Sequence, residues 1–344
     1  MTSLAAPRSD EELDALLSAP NEATIAALAS VPGDVIVLGA GGKMGPTLAR
    51  MAARARDGAG VRRRIIAVSR FTATGTEWFL NEAGVETIAC DLLDRDAVSR
   101  LPDAPNVIYM AGQKFGTRDA PSRTWMMNVV VPAICAERYA GARVVAFSTG
   151  NVYPLTPVSG GGARETDETA PIGEYAQSCV GRERVFEHFA AARDTKAAIV
   201  RLNYAIALRY GVLTDLALKV AYGHAIPLAM GHVNVIWQAD ANRAALELLP
   251  HVSSPPLIVN VTGTATLSVR DIATALGVRL GRTPVFEGVE AADALLSNTE
   301  KMRALIGVPE TSIDTMLDWV ADWVKRERPL LGSATHFEAR DGQF

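Results

Sequence analysis

The hydrophobic pattern opens with helical spacing. Ser9 and Glu12 stand at capping-box distance, and Leu13, Leu16 and Leu17 follow on one helical face until Pro20 interrupts them. Asn21 can cap a second helix carrying Ile25, Leu28 and Ala29, which ends before Pro32-Gly33. At Asp34 the periodicity changes. Val35-Ile36-Val37-Leu38 is a continuous apolar run closed by glycines, as expected of a strand buried on both faces of a parallel sheet. Short apolar runs recur at 64–68, 86–89, 106–110, 143–147, 197–201 and 257–261, most of them separated by helix-length stretches. This alternation predicts an α/β architecture, a doubly wound parallel sheet with helices on both faces. Beyond Thr262-Gly263, helices over 268–276 and 312–324 predict a smaller lobe, in which Leu317, Val320 and Val324 are core positions. The expected division is a helical extension (1–32), a sheet domain (33–202 with 236–262), a second lobe (203–235 with 263–331) and a polar tail (332–344) read as a loose arm.

Composition narrows the class. Of 344 residues, 49% are apolar and 21% charged, which excludes a wholly disordered chain. The net charge of −4 leaves no basic footprint for nucleic acid or an anionic membrane, so neither is expected as a partner. No apolar run approaches the ~20 residues that span a bilayer, and the start of the chain lacks the pattern of a signal peptide. Cys90, Cys135 and Cys179 have neither disulfide-framework nor metal-ligand spacing, and His188, His224, His232, His251 and His336 form no motif such as HExxH. No metal is expected, and a reducing cytoplasm fits best.

The first chemistry lies in Gly39-Ala40-Gly41-Gly42-Lys43-Met44-Gly45, between the first strand and a helix bearing Leu48, Met51 and Ala52. Strand, glycine turn and helix N-terminus form a cradle for a pyrophosphate, and Pro46 suits the first helical turn. The expected ligand is therefore NAD or NADP in a Rossmann-type fold, approached by Gly39, Gly41, Gly42, Lys43, Met44 and Gly45. The second strand ends at Ser69-Arg70, where an NAD-preferring chain commonly places an acid; Arg70 favours a 2′-phosphate, or is simply a solvated surface residue. Asp91, with Leu92, is placed either to meet the adenine end of the cofactor or to cap its own loop.

From here the sequence resembles the extended short-chain dehydrogenase/reductase group, the NAD-dependent epimerase/dehydratase family, over roughly residues 34–325. Gly39-x-x-Gly42-x-x-Gly45 is similar to its glycine signature, Cys90-Asp91-Leu92 to its adenine-side motif, and Met110-Ala111-Gly112 to its turn after the fourth strand; Asn128 matches its structural asparagine. The resemblance implies cofactor contacts from Ala111, Gly112, Tyr175 and Asn203. It also implies an active-site Thr149 within Phe147-Ser148-Thr149-Gly150-Asn151-Val152-Tyr153, and a catalytic Tyr175 that exchanges a proton while hydride moves to or from the nicotinamide. Four residues later the expected lysine is Cys179. A phenol of pKa near 10 then lacks the neighbour that lowers it, so either another cation substitutes, with Lys114 as the candidate, or Tyr175 works weakly or not at all. Cys179 itself reads as a nucleophile or, more simply, as a small buried apolar group.

On the substrate side, Trp237-Gln238-Ala239-Asp240-Ala241-Asn242-Arg243-Ala244 is similar to the family's "HV-D-ARA" segment. Val233 stands where members that act on nucleotide sugars commonly carry a phosphate-binding arginine. This favours a small carbohydrate-like substrate (sugar, sugar acid, lactone or polyol) held by Thr149 and Asn151, with Arg209 or His224 as a carboxylate partner or as solvated charges. Oxidoreductase, or epimerase/isomerase, is the leading expectation. A dinucleotide-binding regulatory protein with weak catalysis is the alternative, and resemblance implies a possible homodimer.

Overall fold

A computed structural model describes residues 5–116 and 119–342; positions 1–4 of the expected extension and 343–344 of the expected tail lie outside the described residues. The central sheet has seven parallel strands: β1 (Val35–Leu38), β2 (Ile65–Ser69), β3 (Glu86–Ala89), β4 (Asn106–Tyr109), β5 (Arg143–Thr149), β6 (Lys196–Leu202) and β7 (Leu257–Val261). Their order is β7-β6-β5-β4-β1-β2-β3, the doubly wound arrangement that the apolar runs predict. Alternation explains why those runs are unbroken: Val35 and Val37 enter the core on one face of the sheet, Ile36 and Leu38 the core on the other. Val35 is in register with both Ile65 of β2 and Asn106 of β4, so the winding reverses at β1 and leaves a crevice beyond its carboxyl end.

Helices α1 (Asp10–Leu17) and α2 (Glu22–Ser30) lie on the side of the sheet that also carries α3 (Gly45–Gly58). The Ser9 hydroxyl accepts from the Glu12 amide at 3.2 Å, and Asn21 caps α2 through the Thr24 amide at 2.8 Å. Leu13, Leu17 and Leu28 are fully buried, so the extension belongs to the main core.

The long helix α4 (Gly173–Arg193) covers the opposite face between β5 and β6; beyond it come α5 (Val212–Tyr222), α6 (Gln238–Glu247), which packs on α2 and α3, α7 (Val269–Leu280) and α8 (Ile313–Lys325). Leu213, Leu216, Leu276, Leu317 and Val320 join the same apolar core as Val35 and Val37. Lobe and sheet therefore share one interior on this side.

The tail is not the loose arm that its polarity predicts. Phe337 is completely buried, Thr335 donates to Asp215 of α5 through its amide at 2.8 Å and through its hydroxyl, Glu338 pairs with Lys219 at 3.2 Å, and Arg340 binds Asp293 and the Ala229 carbonyl. A single apolar anchor and a row of charge-assisted hydrogen bonds hold it where periodicity gives no signal.

Candidate active site

A cavity of about 500 Å³ opens at the carboxyl ends of β1, β4, β5 and β6 and is also lined by Leu331 and the tail residues Ser333 and Thr335. The glycine turn forms its floor. Gly39 leaves β1 with φ of +89°, and a Cβ there would lie 2.5 Å from the Ala111 amide nitrogen, so β1 and the turn after β4 can approach this closely only through a bare backbone. Gly42, Lys43, Met44 and Gly45 line the cavity, while Gly41 lies against the Ser69 side chain outside it. Helix α3 starts here with no side-chain cap, which leaves its first amides directed at the turn. The glycines and the helix N-terminus fit a dinucleotide's pyrophosphate. Arg70 is exposed at the end of β2; Asp91 is exposed and accepts from the Leu93 amide at 3.0 Å, capping its own loop; and the Leu92 side chain is buried in the apolar core.

At the far end of the cavity, Thr149 terminates β5 and accepts from the Asn151 amide at 3.2 Å. Tyr175, in the first turn of α4, hydrogen-bonds with Thr149 and with Cys179. Burial pushes the phenol well above the ordinary tyrosine range, the Cys179 thiol pushes it further in the same direction, and the positive charge of Arg182 opposes both. Cys179 is completely buried and burial also raises its thiol, which favours the apolar-packing reading over the nucleophile reading.

Arg182 is the functional residue that sequence reasoning missed. It lies three residues beyond Cys179 and seven beyond Tyr175, so all three share one face of α4. Its guanidinium is buried, donates to the Phe147 carbonyl at 2.8 Å and to Asn128 Oδ1 at 2.7 Å, and leaves Nε without a hydrogen-bond partner. Glu183, the adjacent carboxylate, is committed to Arg201 (2.6 Å) and to the Ser148 hydroxyl (2.5 Å). A charged residue at helical spacing from Tyr175 was the signal available. Asn128 completes the frame: its Oδ1 also accepts from the Gln113 amide at 2.8 Å, while its Nδ2 donates to the Gln113 carbonyl and to Ser178 Oγ, both at 2.9 Å.

Lys114 lines the cavity and donates to the Thr335 carbonyl at 3.4 Å; burial brings its amine down to about 8 against the attraction of Asp215. Arg182 is the cation whose field bears on Tyr175. Asn151 and Asn203 also line the cavity, the latter buried and donating to the Leu295 carbonyl at 3.3 Å. Two expected substrate contacts are corrected. Arg209 turns away to pair with Asp10 at 3.0 Å and with Asp14, both on α1, and His224 is exposed past the end of α5, beside the Tyr222 ring. Val233 is buried, paired in register with Leu267.

The comparisons with known proteins agree with this geometry. The model of the NAD dependent epimerase/dehydratase family matches residues 35–260. Among solved structures, UDP-glucose 4-epimerase from Thermotoga maritima is 18% identical, covers 86% of this chain and 99% of its own, and superposes with a TM-score of 0.69. UDP-glucuronic acid 4-epimerase from Bacillus cereus, solved with UDP-glucuronic acid and NAD, is 17% identical over 86% of this chain and 99% of its own, with a TM-score of 0.70. An epimerase from Methanothermobacter thermautotrophicus is 16% identical over 89% and 96%, with a TM-score of 0.72. At these identities the likeness establishes the fold. No curated protein matches the chain significantly. With the family model spanning more than half of the sequence, on the sheet and glycine turn just described, the chain belongs to the NAD-dependent epimerase/dehydratase family.

Proposed function

We propose that the chain is an NAD-dependent oxidoreductase, or an epimerase or isomerase working through transient oxidation, that acts on a hydroxyl-bearing carbon of a small carbohydrate-like substrate. The observation that carries this reading is the hydrogen-bonded Thr149–Tyr175 pair, which shares one cavity with the glycine turn. When bound, NAD takes up or returns the hydride at the reacting carbon. Thr149 orients the substrate oxygen. Tyr175, held protonated by burial, donates its proton to a carbonyl oxygen; in the reverse direction its phenolate, formed beforehand by loss of the phenol proton to solvent, takes the hydroxyl proton and becomes the phenol again. Arg182 is a positioning residue that acts through Tyr175: a buried guanidinium without a carboxylate of its own favours negative charge on that phenol oxygen. Val233 cannot pair with a phosphate, which supports a substrate smaller than a nucleotide sugar.

The test is a panel of sugars, sugar acids, lactones and polyols, followed by NADH absorbance together with product identity. Net oxidation accumulates NADH, whereas epimerisation changes the sugar without net reduction. Tyr175→Phe is expected to lower kcat by about 10²–10⁴-fold while NAD affinity is retained. Unchanged turnover in that variant rejects the mechanism, and tight NAD binding without turnover of any class supports a regulatory role instead.

A further inference from the structure

Lys43 is not explained by the cofactor cradle. It belongs to the glycine turn, yet its side chain leaves that turn and crosses the cavity to the lobe, where Nζ donates to the Ala205 carbonyl at 2.9 Å and lies 4.4 Å from the centre of the Tyr210 ring. Tyr210 meets Phe115 edge to face at 6.5 Å, and Lys114 stands beside Phe115 with its amine 5.4 Å from that ring. Two primary amines thus face one aromatic-walled corner of the cavity, which Leu331, Ser333 and Thr335 also line.

Lys43 has charged neighbours of both signs at this corner. Asp215 attracts the Lys43 amine, but its carboxylate is held by Thr335. Glu338 is engaged with Lys219, and Arg209 adds a further positive charge although it is paired with α1. Among the described residues, no carboxylate forms an ion pair with Lys43. Desolvation, followed by the charges of Lys114 and Arg209, brings the Lys43 amine down to about 7. The Ala205 carbonyl and the Tyr210 ring solvate this amine only in part, and an arriving anion would complete the compensation of its charge.

We propose that Lys43 and Lys114 form a receptor for an anionic oxygen group of the substrate, a carboxylate or a phosphate, so that the enzyme takes an acidic rather than a neutral carbohydrate. The inference rests on the reading of this cavity as a cofactor and substrate site, and it narrows the substrate class. The same chemistry could be met by the cofactor's pyrophosphate, so the two sources must be separated.

The experiment uses NAD-loaded protein with D-glucuronate, malonate and inorganic phosphate as anionic probes and D-glucose as the neutral control. The rate at which acetic anhydride modifies Lys43 is read by mass spectrometry, alongside the melting temperature and NAD affinity. At least one anion is expected to slow Lys43 acetylation about tenfold and to raise the melting temperature, with glucose doing neither. Lys43→Met should abolish that rise while NAD affinity changes less than about twofold. Protection by glucose equal to that by the anions, or by none of the probes, overturns the proposal. A Lys43→Met loss in NAD affinity as large as its loss of anion binding assigns the amines to the cofactor and also overturns it. Failure of the wider reading looks different: anion protection that persists in a protein turning over no substrate leaves the receptor standing and removes only the oxidoreductase assignment.

Discussion

Replacing Arg182 by methionine separates the electrostatic role of this residue from its structural one. The guanidinium supplies hydrogen bonds to the Phe147 carbonyl and to Asn128 Oδ1, but Asn128 keeps the Gln113 amide after the change, so the main acceptor left unpaired is Phe147. Such a loss costs about 1–3 kcal/mol. Removing a buried charge that no carboxylate neutralises returns a desolvation penalty of comparable or larger size. The two terms oppose, and the expected change in unfolding free energy is within about 2 kcal/mol of zero. The phenol has no such compensation. An adjacent opposite charge moves an acid by roughly 1–3 pKa units, about 1.4–4 kcal/mol, and Arg182 is the cation that opposes the upward pressure on Tyr175. Oxidation of a hydroxyl, which needs the phenol to lose its proton, should therefore slow by about 10–10³-fold at fixed pH, with the alkaline rise of kcat displaced upward. Reduction of the carbonyl, in which the neutral phenol donates, should fall less. Arg182→Lys keeps the charge and should recover part of the displacement. The assay is kcat and KM against pH in both directions, with urea unfolding of each variant. A methionine variant whose pH profile overlays that of the unsubstituted protein would refute the reasoning.

Three further outcomes follow from the same structure. The amines of Lys43 and Lys114, lowered to about 7 and about 8, bind fewer protons when folded than the ordinary lysines of the unfolded chain; stability should rise as pH is raised from 7 to 8, and Lys43→Met should flatten that rise in urea titrations. A slope that is unchanged in the variant contradicts the assigned environment. Phe337→Ala removes the one buried aromatic ring among the tail's described residues and should accelerate limited proteolysis beyond position 331, with a stability loss smaller than the full ~3–5 kcal/mol of a core phenylalanine truncation, because the tail can open alone. Equal protease resistance would show that the hydrogen bonds to Asp215 and Asp293 suffice. Cys179→Lys, which restores the family spacing, should destabilise by several kcal/mol by adding a second cation beside Arg182 in a fully enclosed position, and Cys179→Lys combined with Arg182→Met should regain most of the loss. Lack of recovery would mean that volume rather than charge sets the cost.

The sheet was legible because its central strands are buried on both faces and read as apolar runs, while the edge strand β3 stays largely exposed; the glycine turn was legible because only bare backbone fits between Gly39 and Ala111. Thr149 and Tyr175 were found through motif resemblance, and the structure brings them together. What stayed hidden shares one physical cause. Arg182, the tail and the partners of Arg209 depend on hydrogen bonds and ion pairs between residues distant in sequence, and such pairs leave no periodic trace. Arg209 looked like a substrate ligand because the carboxylates that hold it, Asp10 and Asp14, lie nearly two hundred residues away on α1. Polarity misled at the tail, where one phenylalanine among polar neighbours carries the burial.

Asn128 gives the site a mechanical consequence. One amide side chain grips both backbone polar groups of Gln113, the Ser178 hydroxyl of α4 and the Arg182 guanidinium. The loop that faces the cofactor and the helix that carries Tyr175 therefore share a fastening, and neither can shift without straining or breaking hydrogen bonds to the other. In isotope-exchange terms, the Gln113 amide becomes a built-in gauge of the proton-transfer helix: its exchange with solvent deuterium should report every opening that displaces Arg182, in a segment that carries no catalytic group of its own.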